Sequence, residues 1–387
     1  MISKERFCLR EDNPFIDFYG KHRVSPVRQN IENFNLHMQR REKLYRSLGM
    51  PPVLFSNKRI LEVGPGGGYN SLAFLRWGAN MDFVEPNPKA QEEIEILLEQ
   101  HEVDKKCWTL FPDRVENYYP EKTYDVIIAE GFLPGISNQA EVIEKFSKLM
   151  NPGGVISVTC IDDVSFFFEN VKRLIAWKLI QGIEDFDAKV KVLSQAFTSH
   201  LLQLKHASRL VEDWVVDQFL NPALYGELFS MEDCIHAFGS EFEVLGSSPQ
   251  IFTDFSWYKN VDFDSKKHFL QQFSRKRHSL ILVDVDDHER TIEENEKLVK
   301  ALTCFRKLSK LAETDSNKEI YPELLVQLRE IRNLSQNIDK RIPEIIDEAI
   351  RLLSQEDLTV HDVSNATKLA GAFGRGQQYV SMVKVVN

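Results

Sequence analysis

The residues best suited to chemistry in this sequence are four glycines and one proline at positions 64–68, directly after a short, largely apolar run at 60–63. Glycine lets the main chain approach a ligand that a Cβ atom would keep away. The residue types at 71–77, SLAFLRW, predict a helix, and Asn70 stands at the N-cap position before it. Free N–H groups at the start of a helix favour electron-rich groups. A strand, a glycine turn and a helix in this order therefore predict a site for an electron-rich ligand.

The spacing of the glycines decides between two kinds of ligand. A dinucleotide fingerprint requires G-x-G-x-x-G/A, but its last position falls on Tyr69 when counted from Gly64 and on Ser71 when counted from Gly66. The pattern that fits is E-x-G-x-G-x-G, which begins at Glu62. This pattern resembles motif I of the class I S-adenosylmethionine-dependent methyltransferases, and the spacing argues against a nicotinamide-dependent oxidoreductase.

The elements around this motif are those that should position it. Strand-like and helix-like segments alternate regularly from residue 59 to residue 160. The segments YDVIIAEG at 124–131 and LMNPGGVISVT at 149–159 again resemble the family, so that the resemblance covers roughly residues 55–160. It implies an α/β fold, namely a Rossmann-like methyltransferase sheet with helices on both faces.

Beyond residue 160 the alternation stops, and long periodic segments predict helices instead. A structureless loop of such length is uncommon in a compact domain, so we predict a helical lid over the substrate. Two β-like segments, 241–255 and 278–285, are predicted to complete the sheet, followed by a charged helical tail that forms a bundle or a dimer surface. The predicted organisation is an N-terminal cap segment and helix (1–52), a cofactor-binding Rossmann-like core (53–161), a helical substrate lid inserted after strand five (162–240), the last two core strands (241–288) and a helical C-terminal extension (289–387).

Two flanking segments are candidates for contact with the site. In methyltransferases that this chain resembles, an N-terminal segment such as 1–52 often covers the cofactor pocket, although it could equally pack on the edge of the sheet. Near the other end, two glycines flank Arg375 in the sequence GRGQQY. They could present this arginine to an anion, or they could form a plain turn before a terminal strand.

The resemblance also implies which residues hold the cofactor, S-adenosylmethionine, and its product S-adenosylhomocysteine. Glu85, at the end of the second strand, can accept hydrogen bonds from both ribose hydroxyls. Asp113, past the third strand, would accept the adenine amino group, although its surroundings depart from the usual glycine–aspartate pair. Glu130 and Gly131 would meet the methionine part and the substrate. The predicted cofactor residues are Glu62, Gly64, Pro65, Gly66, Gly68, Asn70, Glu85, Pro86, Asp113, Glu130 and Gly131.

Methyl transfer to a hydroxyl group also requires removal of a proton, and histidine is the residue best matched to neutral pH. His200, within the predicted lid, is the preferred base because an amphipathic helix could direct it toward the cofactor. The other candidates are His22, His206, Glu130, Asp162 and Asp163. The two aspartates could bind Mg²⁺, but no matching third acid is present, so no metal is predicted.

Composition limits the partners. The chain has 387 residues and a net charge of −10, which disfavours binding to nucleic-acid phosphates. Its five cysteines are widely separated, and no apolar run is long enough for a membrane span, so a cytoplasmic location is predicted. The expected partners are a small-molecule or sugar substrate and, through the C-terminal helices, a second copy of the chain in a homodimer.

The predicted function is transfer of a methyl group from S-adenosylmethionine to a small molecule or a sugar or polysaccharide precursor, at a hydroxyl group. Two alternatives remain open. The chain could bind S-adenosylmethionine or its product without catalysis, or it could methylate a small amine.

Overall fold

Seven strands form one mixed sheet in the part of the chain that the computed structural model describes, which is residues 14–22, 29–205, 207, 209–222, 228–251, 253–286, 288–314 and 320–386. In chain order they are β1 (Arg59–Val63), β2 (Asn80–Val84), β3 (Trp108–Phe111), β4 (Tyr124–Ala129), β5 (Met150–Cys160), β6 (Phe242–Ser248) and β7 (Gln378–Lys384). Their order across the sheet is β3-β2-β1-β4-β5-β7-β6. Strands β1 to β5 pair in parallel, whereas β7 is antiparallel to both of its neighbours.

Both faces of this sheet are buried. Ile60 and Leu61 are neighbours in β1 but belong to separate apolar cores, because successive side chains of a strand point to opposite faces. Val126 and Ile127 in β4 divide in the same way. Near-continuous apolar runs are typical of parallel strands that are covered on both sides. The structure therefore confirms the predicted Rossmann-like sheet with helices on both faces.

The helices fall into two groups along the chain. Those that accompany the first five strands are α1 (Pro14–His22), α2 (Phe34–Ser47), α3 (Ser71–Arg76), α4 (Pro88–Gln100) and α5 (Gln139–Leu149). Those that follow β5 are α6 (Asp163–Leu179), α7 (Phe186–Leu201), α8 (Val211–Val215), a π-helix (Val216–Leu220), α9 (Met231–Ala237), α10 (Ser265–Lys276), α11 (Ile292–Thr314), α12 (Ile320–Ser335), α13 (Arg341–Ser354), α14 (Val360–Ser364) and α15 (Thr367–Ala370). None of the helices in the described residues combines the length with the apolar character that a membrane span requires.

The last strand of the sheet is not where the sequence pattern predicts it. Segment 241–255 forms β6 only as far as Ser248, and 278–285 forms no strand, because a 3₁₀-helix runs from Arg277 to Leu280 and a turn follows. Most of the apolar side chains of 278–285 are nevertheless buried, namely Leu280, Ile281, Leu282 and Val285, whereas Val283 is exposed. A short apolar run indicates that a segment is buried but does not show whether it is a strand or a helix. The strand that pairs with β5 on the side away from β4 is β7, which comes from residues 378–384. The predicted tail thus ends in a core strand.

The lid helices and the tail helices form one helical layer. Helix α6 packs against α11 and α13, and α7 packs against α14 and α15. In α12 the periodic residues Leu324, Leu328 and Ile331 are fully buried, which confirms the helical period read from the sequence. Much of the apolar surface of the tail is therefore covered within the same chain, and the homodimer through these helices stays a prediction.

Candidate active site

A cavity of about 620 Å³ lies at the carboxyl ends of the parallel strands, where open α/β sheets bind ligands. One part of it, here called the glycine-loop half, is lined by residues that follow β1, β2, β3 and β4. The other part, here called the helical half, is lined by α6, by the segment from α7 to the π-helix and by residues 373–377. The N-terminal segment contributes Tyr19 and Gln29. This size is typical of sites that enclose small molecules.

The glycine turn forms the floor of the glycine-loop half. Gly64 and Gly66 have φ angles of +68° and +55°, a region that residues with a Cβ rarely adopt. Both line the cavity together with Pro65. Gly68 also has a positive φ, +77°, but it does not line the cavity, and a Cβ there would come within 3.1 Å of Ile94 Cγ1 in α4. Gly68 therefore allows close packing of the turn rather than contact with a ligand.

Glu85 follows β2, lines the cavity next to Pro86 and is 5% exposed. Its Oε2 accepts a hydrogen bond from the Gly66 N–H at 3.0 Å, and its Oε1 accepts one from the Asn87 N–H at 2.9 Å. A carboxylate has about four acceptor positions, so two main-chain donors leave room for two ribose hydroxyls. The carboxylate is thus fixed by the same turn that would cradle the ligand.

This arrangement predicts a pH-dependent affinity. Burial raises the pKa of Glu85 to about 7, although the two N–H donors act against the shift. Ribose hydroxyls need the ionised carboxylate as acceptor, so binding is favoured above that pKa and is lost as the pH falls through it. We expect the Kd of S-adenosylhomocysteine, measured by calorimetry, to rise about tenfold between pH 8 and pH 6. Glu85→Gln should remove this dependence, and equal affinities of the wild-type protein at the two pH values would contradict the prediction.

Glu62, the first residue of the motif, plays a different part. It is 2% exposed and does not line the cavity, and burial raises its pKa to about 8. The side chain is enclosed by the protein at the end of β1, just before the glycine turn. Its predicted contact with the cofactor is therefore not seen in the described cavity, and the structure gives it a buried position beneath the loop.

Glu130 lines the cavity after β4, as predicted, but three side chains already engage its carboxylate. Arg41 of α2 forms two hydrogen bonds with it, at 2.6 and 3.0 Å, and Tyr45 donates a third to Oε1. Asn70 donates from Nδ2 to Oε2 at 3.1 Å. The predicted role of Glu130 as a base meets an obstacle here, because both oxygens of its carboxylate are already engaged by these donors. Gly131, with a φ of +71°, lines the cavity beside it.

Two other residues that were predicted to hold the cofactor, Asn70 and Asp113, have side-chain contacts that the sequence did not predict. Asn70 stands at the N-cap position of α3 and lines the cavity, but its side chain bridges Gln29 and Glu130 instead of capping the helix. Asp113 does not line the cavity, whereas Arg114, Val115 and Glu116 do. Its carboxylate accepts hydrogen bonds from the Arg114 N–H and from the Asn117 amide, because the chain turns directly after β3. These bonds hold the pKa of Asp113 below its usual value.

Comparison with known proteins identifies a domain within the chain. Residues 36–203 match the family model described as "Methyltransferase domain". These residues are a methyltransferase domain. The match confirms the resemblance to methyltransferases, and S-adenosylmethionine is the cofactor expected for such a domain.

Individual relatives resemble parts of the chain. Malonyl-[acyl-carrier protein] O-methyltransferase 1 of Ilyobacter polytropus is 29% identical over 110 residues, which are 28% of this chain and 40% of that protein. The chain thus spans less than half the length of this curated relative. PKMT2 of Rickettsia typhi, solved in complex with AdoHcy, is 16% identical with a TM-score of 0.40, covering 59% of this chain and 48% of that one. The N-methyltransferase NodS of Bradyrhizobium japonicum is 15% identical with a TM-score of 0.31, covering 39% and 75%.

The predicted histidine bases do not face the cavity of the methyltransferase domain. His200 is completely buried, and its Nε2 lies 2.9 Å from the Val363 carbonyl oxygen of α14. Burial lowers its pKa to about 3, so that it stays neutral, and it does not line the cavity. The helix presents this face to the tail helices, which the sequence pattern could not show. His22 is stacked on Phe186 at 3.9 Å and also lies outside the cavity lining. His206 lies outside the described residues.

Asp162 and Asp163 are held by arginines. The buried carboxylate of Asp162 caps α6 through the Val164 N–H and pairs with Arg277 at 2.8 Å. Asp163 pairs with Arg306 of α11 at 2.6 Å. Both contacts anchor α6, so the structure assigns these two carboxylates a stabilising role at the junction of lid, tail and core.

The helical half contains a carboxylate that sequence reasoning did not identify. Asp217 lies in the π-helix and lines the cavity. Tyr19 of α1 donates to it at 2.8 Å, Arg209 at 2.8 Å and Asn221 at 3.2 Å. A π-helix often marks a functional site, but its register is not visible in sequence. Tyr19 thus brings the N-terminal segment into contact with the π-helix at the cavity wall.

Segment 373–377 enters the cavity because Gly374 permits an unusually close approach to α6. A Cβ at this position would lie 1.8 Å from the Ser165 carbonyl oxygen. Arg375 follows, lines the cavity and donates to the Ser279 and Val285 carbonyl oxygens at 3.4 and 3.2 Å. The GRG sequence thus both forms a turn before β7 and contributes to the cavity wall.

Gly374→Ala is therefore expected to be destabilising. Forcing a methyl group into a filled site typically costs about 1–3 kcal/mol of stability, which denaturant unfolding would measure. Gly371→Ala is the matched control, because its nearest atom, the Lys368 carbonyl oxygen, is 4.0 Å from the added Cβ. We expect that control to remain within about 0.5 kcal/mol of the wild type. Identical unfolding of the two variants would contradict this account of Gly374.

Proposed function

We propose that this protein transfers a methyl group from S-adenosylmethionine to a small-molecule acceptor, at a hydroxyl group, with the acceptor bound in the helical half. The observation that supports this is the continuity of the cavity, whose one volume is lined both by the glycine turn and by the lid. A donor and an acceptor in a single cavity can be held in contact, and such positioning can supply about 7–11 kcal/mol of the barrier.

The lining of the helical half fits an enclosed small molecule. Phe166, Trp214 and Phe373 supply aromatic surfaces, while Ser165 and Gln218 supply hydrogen-bonding groups. Mostly apolar walls with a few placed polar groups are typical of small-molecule sites. A sugar or polysaccharide precursor has the corresponding combination of ring faces and hydroxyl groups, and it is the acceptor class that we favour.

The residues of the chain divide the task between the two halves. Glu85 would hold the ribose of S-adenosylmethionine, and Gly64 and Gly66 would allow it to lie against the main chain. When bound, S-adenosylmethionine supplies an activated methyl group on its sulfonium. The lid helices exclude water from the acceptor, and Arg41 keeps Glu130 fixed at the boundary between the halves.

The proposal is tested by a transfer assay that does not presuppose the acceptor. The purified protein is incubated with S-adenosylmethionine carrying a tritiated methyl group and with a deproteinised small-molecule extract, and the products are separated by chromatography. We expect label in a discrete fraction whose mass exceeds that of its precursor by one CH₂ group. Glu85→Ala should lose this labelling. Tight binding of S-adenosylhomocysteine without any labelled product would instead favour the non-catalytic alternative.

A further inference from the structure

The carboxylates that line the cavity differ in how fully they are engaged. Glu130 and Asp217 each accept hydrogen bonds from three side chains. Glu116, in the glycine-loop half, accepts one from the Asn138 amide at 3.0 Å. Within the helical half, Glu169 of α6 differs from Asp217, because its side chain is held by the main-chain N–H of Gly374, at 3.2 and 3.4 Å from its two oxygens. It therefore has acceptor capacity left in the helical half.

Glu169 also occupies a suitable position. Ser165 and Glu169 are four residues apart, share one face of α6 and both line the cavity. From Gly374, which contacts Glu169, the main chain needs three residues to reach Gln377 and can span at most about 10 Å. The side-chain amide nitrogen of Gln377, Nε2, lies 3.5 Å from where a Cβ atom on Gly131 would be. Segment 374–377 thus connects the contact of Glu169 in the helical half to the contact of Gly131 after β4.

We propose that Glu169 is the general base that takes the proton from the acceptor hydroxyl, an inference that rests on the proposed function. As the acceptor oxygen bonds to the methyl carbon, the bond from that carbon to the sulfonium sulfur breaks and the sulfur keeps the electron pair. The hydroxyl proton passes to the carboxylate of Glu169 and later to water. The products are a methyl ether, neutral S-adenosylhomocysteine and, transiently, a protonated Glu169.

The charges around Glu169 suit this role. Burial raises the pKa of Glu169, while the charge of Lys172, buried one turn further along α6, acts against that shift. Among the described residues, the cations that line the helical half are engaged elsewhere, since Arg209 pairs with Asp217 and Arg375 donates to main-chain carbonyl groups. A carboxylate whose pKa is moved toward neutrality is a more effective base than a solvated one.

The test uses Glu169→Gln, which keeps the shape of the side chain but cannot take up a proton. With the chromatographic fraction that the wild-type protein labels as acceptor, we expect kcat to fall roughly a hundredfold or more. The affinity for S-adenosylhomocysteine, measured by calorimetry, should remain unchanged. The wild-type kcat should rise with pH and then level off, and the variant should lack that rise. Glu169→Asp should recover part of the activity, and Glu212→Gln, an exposed carboxylate of α8, should behave as wild type.

Two results would overturn the inference. One is a Glu169→Gln protein with a near-normal kcat, and the other is a variant whose KM rises while kcat and its pH profile are retained, since that would show binding alone. Failure of the proposed function looks different, because it would leave the wild-type protein itself without labelled product, whereas failure of this inference leaves wild type and variant with similar kcat values.

Discussion

Glu85→Ala is expected to weaken binding of S-adenosylhomocysteine by roughly 10²- to 10⁴-fold. Two hydrogen bonds from ribose hydroxyls to a charged acceptor are lost, each worth about 1.5–3 kcal/mol, and every 1.4 kcal/mol changes an affinity about tenfold. The substitution also removes the acceptor of the Gly66 N–H, so that the turn loses its anchor to the end of β2. Isothermal titration calorimetry at pH 8, where the wild-type carboxylate is ionised, gives the comparison directly.

Two further variants make this result interpretable. Glu85→Gln keeps the size of the side chain but not its charge, and we expect an intermediate loss of affinity. Glu99→Ala removes an exposed carboxylate from the neighbouring helix α4 and should leave the Kd unchanged. Unaltered binding by a folded Glu85→Ala protein would remove Glu85 from the site.

The second large effect is expected at the ion pair between α6 and α11. Arg173 is 0% and Glu313 is 3% exposed, and Nε of the arginine lies 3.4 Å from the carboxylate. Arg173 also donates to the Gln218 carbonyl oxygen of the π-helix at 2.8 Å, so the pair supports the cavity wall. Glu313→Gln leaves an uncompensated buried cation, and we expect a loss of about 3–5 kcal/mol in the free energy of unfolding, measured by urea denaturation.

An exposed pair in the same helical layer provides the control. Arg332 and Asp347 join α12 to α13 with side chains that are 37% and 53% exposed. Asp347→Asn should cost less than about 1 kcal/mol, because solvent screens the interaction. Replacing Arg173 and Glu313 together by methionine and leucine should cost much less than the sum of the single changes, since no buried charge is left unpaired. A small effect of Glu313→Gln alone would contradict this interpretation.

Local sequence determined much of the glycine-loop half of the cavity. The backbone conformation that lets Gly64 and Gly66 line a cavity depends on the residues themselves, because only glycine adopts those φ angles at little cost. The apolar runs of β1 and β4 likewise need no distant partner to be recognised as buried strands. For these reasons the strand, the turn and Glu85 at the end of β2 could be identified before any fold was known.

Residues whose roles depend on distant partners could not be identified in this way. Arg41 and Tyr45 belong to an amphipathic helix whose charges resemble an ordinary solvated face, and only the fold brings them to Glu130. His200 was expected to point toward the cofactor, but the face of a helix that becomes buried is decided by what packs against it, here α14. Asp113 stands at the expected place after β3, but its carboxylate is engaged by Arg114 and Asn117 of the turn that follows and does not line the cavity.

The sequence by itself indicated a methyltransferase domain with a Rossmann-like sheet, since that domain is specified by local rules of glycine conformation, strand composition and spacing. Only the tertiary structure decided how the sheet closes and which groups face the acceptor. Strand β7 joins β5 from more than 200 residues away in the chain, and the segment before it brings Gly374 against Glu169. Such contacts depend on the packing of whole elements, and a pattern of neighbouring residues carries no information about them.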